Sequence, residues 1–157
     1  MLLRIFALLV GFLNFVHAWE YVNCGTGLID IESIVLQPEI PIAGEQLTVT
    51  IKGRATQTIE ARATADVTVK LGLVKLIQKR FDVCAEVARL PGLGISCPVE
   101  DREWHTIQQT VTLPKEIPKS KFNIQVRGST AKNEPMLCLD LKLDFMSSAG
   151  SIFRAPF

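Results

Sequence analysis

Ala65 to Pro98, ADVTVKLGLVKLIQKRFDVCAEVARLPGLGISCP, is the stretch from which the fold is read. Its first part alternates, with Val67, Val69, Leu71 and Leu73 on one face and Asp66, Thr68 and Lys70 on the other. Successive side chains of a β-strand point to opposite faces. The pattern therefore predicts a strand with one face on an apolar interior and the other in water. The second part is a short excursion bracketed by Cys84 and Cys97, with Pro98 immediately after.

The segments on either side repeat the first part. Ile29 to Leu36 is mostly apolar and runs into a turn region at Pro38, Pro41 and Gly44; Leu47, Val49 and Ile51 then alternate with Thr48, Thr50 and Lys52. Lys79 to Cys84 puts Phe81 and Val83 on one phase. In His105 to Leu113, Ile107, Val111 and Leu113 share a phase with Gln109; in Lys121 to Ser129, Phe122, Ile124 and Val126 do so; and in Leu137 to Phe145, Leu139, Leu141, Leu143 and Phe145 oppose Asp140, Lys142 and Asp144. A buried amide needs a hydrogen-bond partner, so an inward Gln109 would have to reach backbone or face a polar part of a guest; a bulge turning it outward is the simpler expectation. About seven strands with Gly, Pro and Asn punctuation predict an all-β, immunoglobulin-like sandwich of two antiparallel sheets. No helix-period segment, internal repeat or composition shift competes, so one domain is expected. Trp104 lies outside the Cys84–Cys97 pair, so the buried Trp between two cysteines of a true immunoglobulin domain is absent.

Residues 1–18 have the form of a signal peptide: a basic start at Arg4, an apolar run from Ile5 to Val16, and small residues around Ala18. The run is too short for a spanning helix. The domain then begins at Trp19, extends to Phe145, and is followed by a tail, 146–157, that does not alternate. Without the signal segment sixteen basic side chains balance sixteen acidic ones. That balance excludes the concentrated basic surface that nucleic acid requires and permanent electrostatic attachment to anionic lipid. The secretory route favours disulfides among Cys24, Cys84, Cys97 and Cys138; three pairings exist, and Cys24–Cys138 with Cys84–Cys97 is favoured. Loop closure would contribute at most about 5 kcal/mol for the long loop and about 3 for the short one. No Cys-x-x-Cys pair exists and His105 is the one histidine after the signal segment, so zinc and other metals are not expected.

Catalytic equipment is sparse. His105 opens a strand with no evident acid partner, which does not make a Ser-His-Asp site. Asp66, Asp140 and Asp144 read as solvated strand faces, and Gly92 and Gly94 sit in the cysteine loop, not in a phosphate-binding turn. No enzyme activity and no cofactor are expected. The inward faces remain. Alternation by itself favours a solid core about 10 Å thick, with a slot between splayed sheets as the alternative.

WEYVNCG at the start, ADVTVKLGLVKLIQKRFDVC, SCPVE, TVTLPKEIPKSKFNIQVRG and the closing LCLDLKLDF resemble the ML lipid-recognition family over Trp19 to Phe145. Within it the likeness is to the fungal phosphatidylglycerol/phosphatidylinositol transfer proteins, relatives of the Niemann-Pick type C lumenal sterol carrier. The resemblance implies sheets that part to hold one lipid, and disulfides that agree with the favoured pairing. It maps the slot onto Val67, Val69, Leu71, Phe81, Val83, Pro98, Val99, Ile107, Val111, Phe122, Ile124 and Val126, and the aromatic that follows the Cys-Pro segment onto Trp104. The implied function is transfer of a phospholipid or sterol between membranes, with transient membrane contact, a membrane-protein acceptor of the lipid, a monomeric state, and a vacuole- or lysosome-like lumen or the extracellular space as its place. Loops at Pro41–Gly44 and Pro91–Val99 are expected at the mouth. The rivals are an accessory protein presenting lipid to a receptor or hydrolase, and a solid adhesion module.

Overall fold

The described residues form eight strands: β1 (Trp19–Asn23), β2 (Ile29–Gln37), β3 (Gln46–Ala55), β4 (Thr64–Leu71), β5 (Val74–Asp82), β6 (His105–Thr112), β7 (Lys121–Ser129) and β8 (Pro135–Asp144). This computed structural model describes residues 18–25, 27–90, 92, 94–100 and 102–146. The segment expected to be a signal peptide, apart from Ala18, and the expected tail, apart from Met146, lie outside the described residues. One sheet has the order β1-β8-β7-β4-β5 and the other β2-β3-β6. Every pairing within them is antiparallel.

The strand beyond the seven expected is β1, which pairs along β8 from Trp19 opposite Leu143 to Asn23 opposite Leu139. Its five residues are too few for alternation to register. β4 stops at Leu71, where Gly72 takes a positive φ of 58° that a turn requires. Leu73, expected on the inner face, therefore projects from the turn fully exposed. Val83 and Cys84, expected on a strand, instead begin a short helix, α1 (Val83–Arg89). Asp82 caps it, its carboxylate accepting from Ala85 N–H at 2.8 Å.

The disulfides join Cys24 to Cys138 and Cys84 to Cys97. The first ties the start of the domain to β8. The second ties α1 to the segment in which Val99 bridges Ile59. At that end of the sandwich Ala55, Ile59, Ala63 and Met136 are fully buried against one another, with Leu28, Ile29, Val83 and Val99 packed on them.

Charged outer faces are tied across strands. Asp66 lies opposite Arg80, which donates two hydrogen bonds to it at 2.7 and 2.8 Å. Those bonds and the Arg80 charge hold the Asp66 carboxyl below the usual carboxylate range. The hydrogen bond from Lys142, then its charge, does the same to Glu20 at 2.5 Å. Asp140 and Asp144 pair with Arg127 and Lys121.

Candidate functional site: an apolar cleft between the sheets

In a solid sandwich the inward residues at mid-strand are fully buried, because the two faces interdigitate. Here they are not. Fully buried residues sit on β2, β3, β7, β8 and the connections, whereas no residue of β4, β5 or β6 reaches full burial. β5 and β6 are also edge strands of their sheets, as β1 and β2 are, and most of their residues stay exposed.

Register fixes which side chains face the interior. On β4, Val67, Val69 and Leu71 stand opposite Val126, Ile124 and Phe122 of β7. Those in turn stand opposite Leu139, Leu141 and Leu143 of β8. An apolar cleft of about 410 Å³ opens where Val69, Phe122, Ile124, Leu143 and Phe145 meet Leu76 and Ile77 of β5 and the β6–β7 loop, which contributes Leu113, Pro114, Ile117 and Pro118. Among the described residues its one charged lining residue is Glu116. The volume lies within the range of small-molecule sites, and such a lining favours an apolar guest. The end with the Cys84–Cys97 loop lies at the opposite pole, closed by the buried cluster around Met136.

The expected lining residues divide into three groups. Val69, Phe122 and Ile124 line the cleft. Val67, Leu71 and Val126 continue the same inner face, while Ile107 and Val111 occupy the inner face of β6, opposite Ile51 and Leu47. Phe81 faces inward opposite Ala65, with the Lys79 ammonium 4.8 Å from its ring centre. Val83 and Val99 pack at the closed end, and Pro98 is exposed in the loop there. Trp104 lies on the outer face of the three-stranded sheet, its ring centre 4.8 Å from the Arg54 guanidinium and 5.6 Å from the Lys52 ammonium. The structure does not bring it to the cleft. His105 is half-buried opposite Gly53.

Gln109 also departs from expectation. β3 and β6 run in unbroken register, so no bulge turns it outward; it opposes Val49 and shares the inner face of Ile107 and Val111. Its amide stays exposed because the sheets are open there. Of the two expected mouth loops, Pro41–Gly44 does lie at the open end, where Gly44 packs against Lys115 of the β6–β7 loop. Pro91–Val99 belongs to the closed end. Sequence reasoning missed Leu76, Ile77 and the β6–β7 loop. A register shift between Val69 and Lys70 breaks the alternation that would have revealed the first two. Leu113-Pro114 and Ile117-Pro118, apolar residues beside prolines, were the signal for the loop.

A second groove, about 600 Å³, runs along the opposite edges between Trp19, Tyr21, Val35 and Leu36, but Glu20 and Glu39 share its lining. An apolar guest gains less there than in the cleft above.

Disulfide-bonded and immunoglobulin-like, with an apolar cleft opening at one end between its sheets, the molecule falls in the class of β-sandwiches that carry a pocket. The chain belongs to the ML domain family, whose model matches residues 18–145. It is 51% identical over 132 residues to a phosphatidylglycerol/phosphatidylinositol transfer protein of Cryptococcus neoformans var. neoformans, covering 83% of this chain and 72% of that one. A protein of the same description from Mycosarcoma maydis is 42% identical over 131 residues, 82% of this chain and 67% of its own length. Among solved structures, a Niemann-Pick type C2 protein from Japanese carpenter ant superposes with a TM-score of 0.62 at 17% identity, covering 80% of this chain and 98% of that one. Chicken MD-1 complexed with lipid IVa gives 0.52 at 18% identity, covering 80% and 88%. At those identities the two structures establish a shared fold.

Proposed function

We propose that this chain is a non-enzymatic lipid carrier that takes a phospholipid or sterol from one membrane and delivers it to another. The observation that carries this reading is the apolar cleft between β5 and the β6–β7 loop, lined along one wall by inward residues of β4, β7 and β8. Each methylene moved there from water gains about 0.8 kcal/mol. Delivery requires that gain to lie near parity with a bilayer, which suits a loosely filled interior. The names of the curated relatives favour phosphatidylglycerol or phosphatidylinositol as the guest. The carrier works as a monomer in the lumen of the secretory route or outside the cell, and hands its lipid to a bilayer or to a membrane-protein acceptor.

Native mass spectrometry of protein purified from its host tests this directly: one bound phospholipid or sterol is expected. Vesicle-to-vesicle transfer of fluorescent phosphatidylglycerol, phosphatidylinositol and sterol should proceed without a second protein. Protein that carries no lipid and takes none from liposomes overturns the reading. Transfer that demands a second protein would make the chain a lipid-presenting accessory instead.

A further inference from the structure

The hairpin of β4 and β5 has a surface that packing within the molecule does not account for. From Lys70 to Phe81 the chain carries Lys70, Lys75, Lys79 and Arg80 and no acidic residue. Leu73 projects from the turn fully exposed, and Val74, Leu76 and Ile77 are 61%, 48% and 56% exposed. Four large apolar side chains within five residues on an edge strand are a liability in water. Lys70 stands directly opposite Lys75, and like charges so placed oppose strand pairing. Lys75 donates to the Gln78 side-chain oxygen at 2.8 Å, and neither lysine has a carboxylate partner among the described residues. Across the cleft mouth, the β6–β7 loop also sets basic beside apolar side chains: Lys115 and Lys119 flank Ile117 and Pro118, with Glu116 as its one acid.

We propose that these two lips, the Leu73 hairpin tip and the Lys115–Lys119 loop, dock on an anionic lipid bilayer and set the cleft mouth against its headgroups. This rests on the carrier reading and names the surface through which it operates. An anionic interface accommodates both anomalies: the apolar tip enters the headgroup region, and Lys70 and Lys75 find phosphates in place of each other. A second copy of this chain fits poorly, because edge-to-edge pairing of two β5 strands would gather Lys75 and Lys79 from both copies, while the one acid of the strand, Asp82, is engaged in capping α1.

The test is co-sedimentation of the full-length mature protein with vesicles of phosphatidylcholine, with and without phosphatidylglycerol, at low and physiological salt. In parallel, equilibrium dialysis measures uptake of monomeric dihexanoyl phosphatidylglycerol, which needs no bilayer. Binding is expected to require phosphatidylglycerol and to weaken with salt. Leu73→Ser with Val74→Ser should weaken it about tenfold or more. Lys70→Gln and Lys75→Gln should each weaken it about fivefold at low salt. All these variants should keep short-chain uptake. Variants that sediment like the parent protein, or equal binding without phosphatidylglycerol, overturn the docking surface. So does a dimer in analytical ultracentrifugation that Leu73→Ser dissolves while vesicles go unbound. Failure of the parent protein to take up the short-chain lipid sinks the carrier reading, and the sedimentation result then judges the surface by itself.

Discussion

Val69 lies at the middle of the inner face, between Ile77 on one neighbouring strand and Ile124 on the other, which makes it the residue where a filled and an unfilled interior behave differently. Enlarging a side chain in a well-packed core costs about 1–3 kcal/mol through forced rotamers and backbone shifts. In an open cleft a new indole occupies space otherwise given to the guest. Val69→Trp is therefore expected to leave thermal stability close to that of the parent while abolishing lipid uptake. A large fall in melting temperature with uptake retained would place the guest elsewhere. Trp104 makes the opposite case. Its ring is held on the outer face by Arg54 and Lys52, so Trp104→Ala should cost only the cation–π contacts, about 0.5–1 kcal/mol, with uptake unchanged; impaired uptake would return Trp104 to the site. Its position after the Cys-Pro segment said nothing about which face it takes, because that depends on the strand register beyond it.

At the scale of elements, alternation was a sufficient guide wherever a strand was long and its register regular. β3, β7 and β8 carry the phases read from their sequences, and the inner residues of β4 follow theirs as far as Leu71. It failed at β1, too short to show a period, and at β5, where the shift beside Lys70 puts Leu76 and Ile77 both on the cleft. The cleft could not be read at all from local patterns: an inward valine has the same sequence signature whether it meets another side chain or a guest. Two elements carry predictions of their own. On the outer face of β4 and β5, Arg80 holds the Asp66 carboxyl low, so the pair contributes stability above the ordinary carboxylate range and loses it as pH falls through the depressed value. Arg80→Gln should raise the Asp66 titration toward the ordinary range, as followed by NMR; an unmoved titration would show that Arg80 is not the cause. The helix-anchoring bridge is larger in effect. Closing the loop between Cys84 and Cys97, 13 residues apart, contributes up to about 3 kcal/mol. The double change Cys84→Ser with Cys97→Ser should lower the denaturation midpoint accordingly, and an unchanged midpoint would mean that the segment is held by the packing of Val83 and Val99.

The described residues form one sheet five strands wide and one three strands wide, anchored to each other at the pole around Met136 and open at the cleft between β5 and the β6–β7 loop. A guest between them supplies apolar contacts that β4, β5 and β6 do not make with the rest of the protein. Since a ligand bound only by the folded state stabilises it in proportion to the logarithm of its concentration above its dissociation constant, the melting temperature should climb steadily with added dihexanoyl phosphatidylglycerol. Hydrogen exchange on β4 should slow in step. A melting temperature indifferent to that lipid would indicate that the interior is not its berth. The plug of Ala55, Ile59, Ala63 and Met136 has a final consequence for such a guest. A vessel with this floor admits nothing from below, so the cargo of the carrier proposed above goes into the cleft tail-first and comes out head-first. Its polar end stays at the threshold throughout the voyage, and unloading never requires the passenger to turn around.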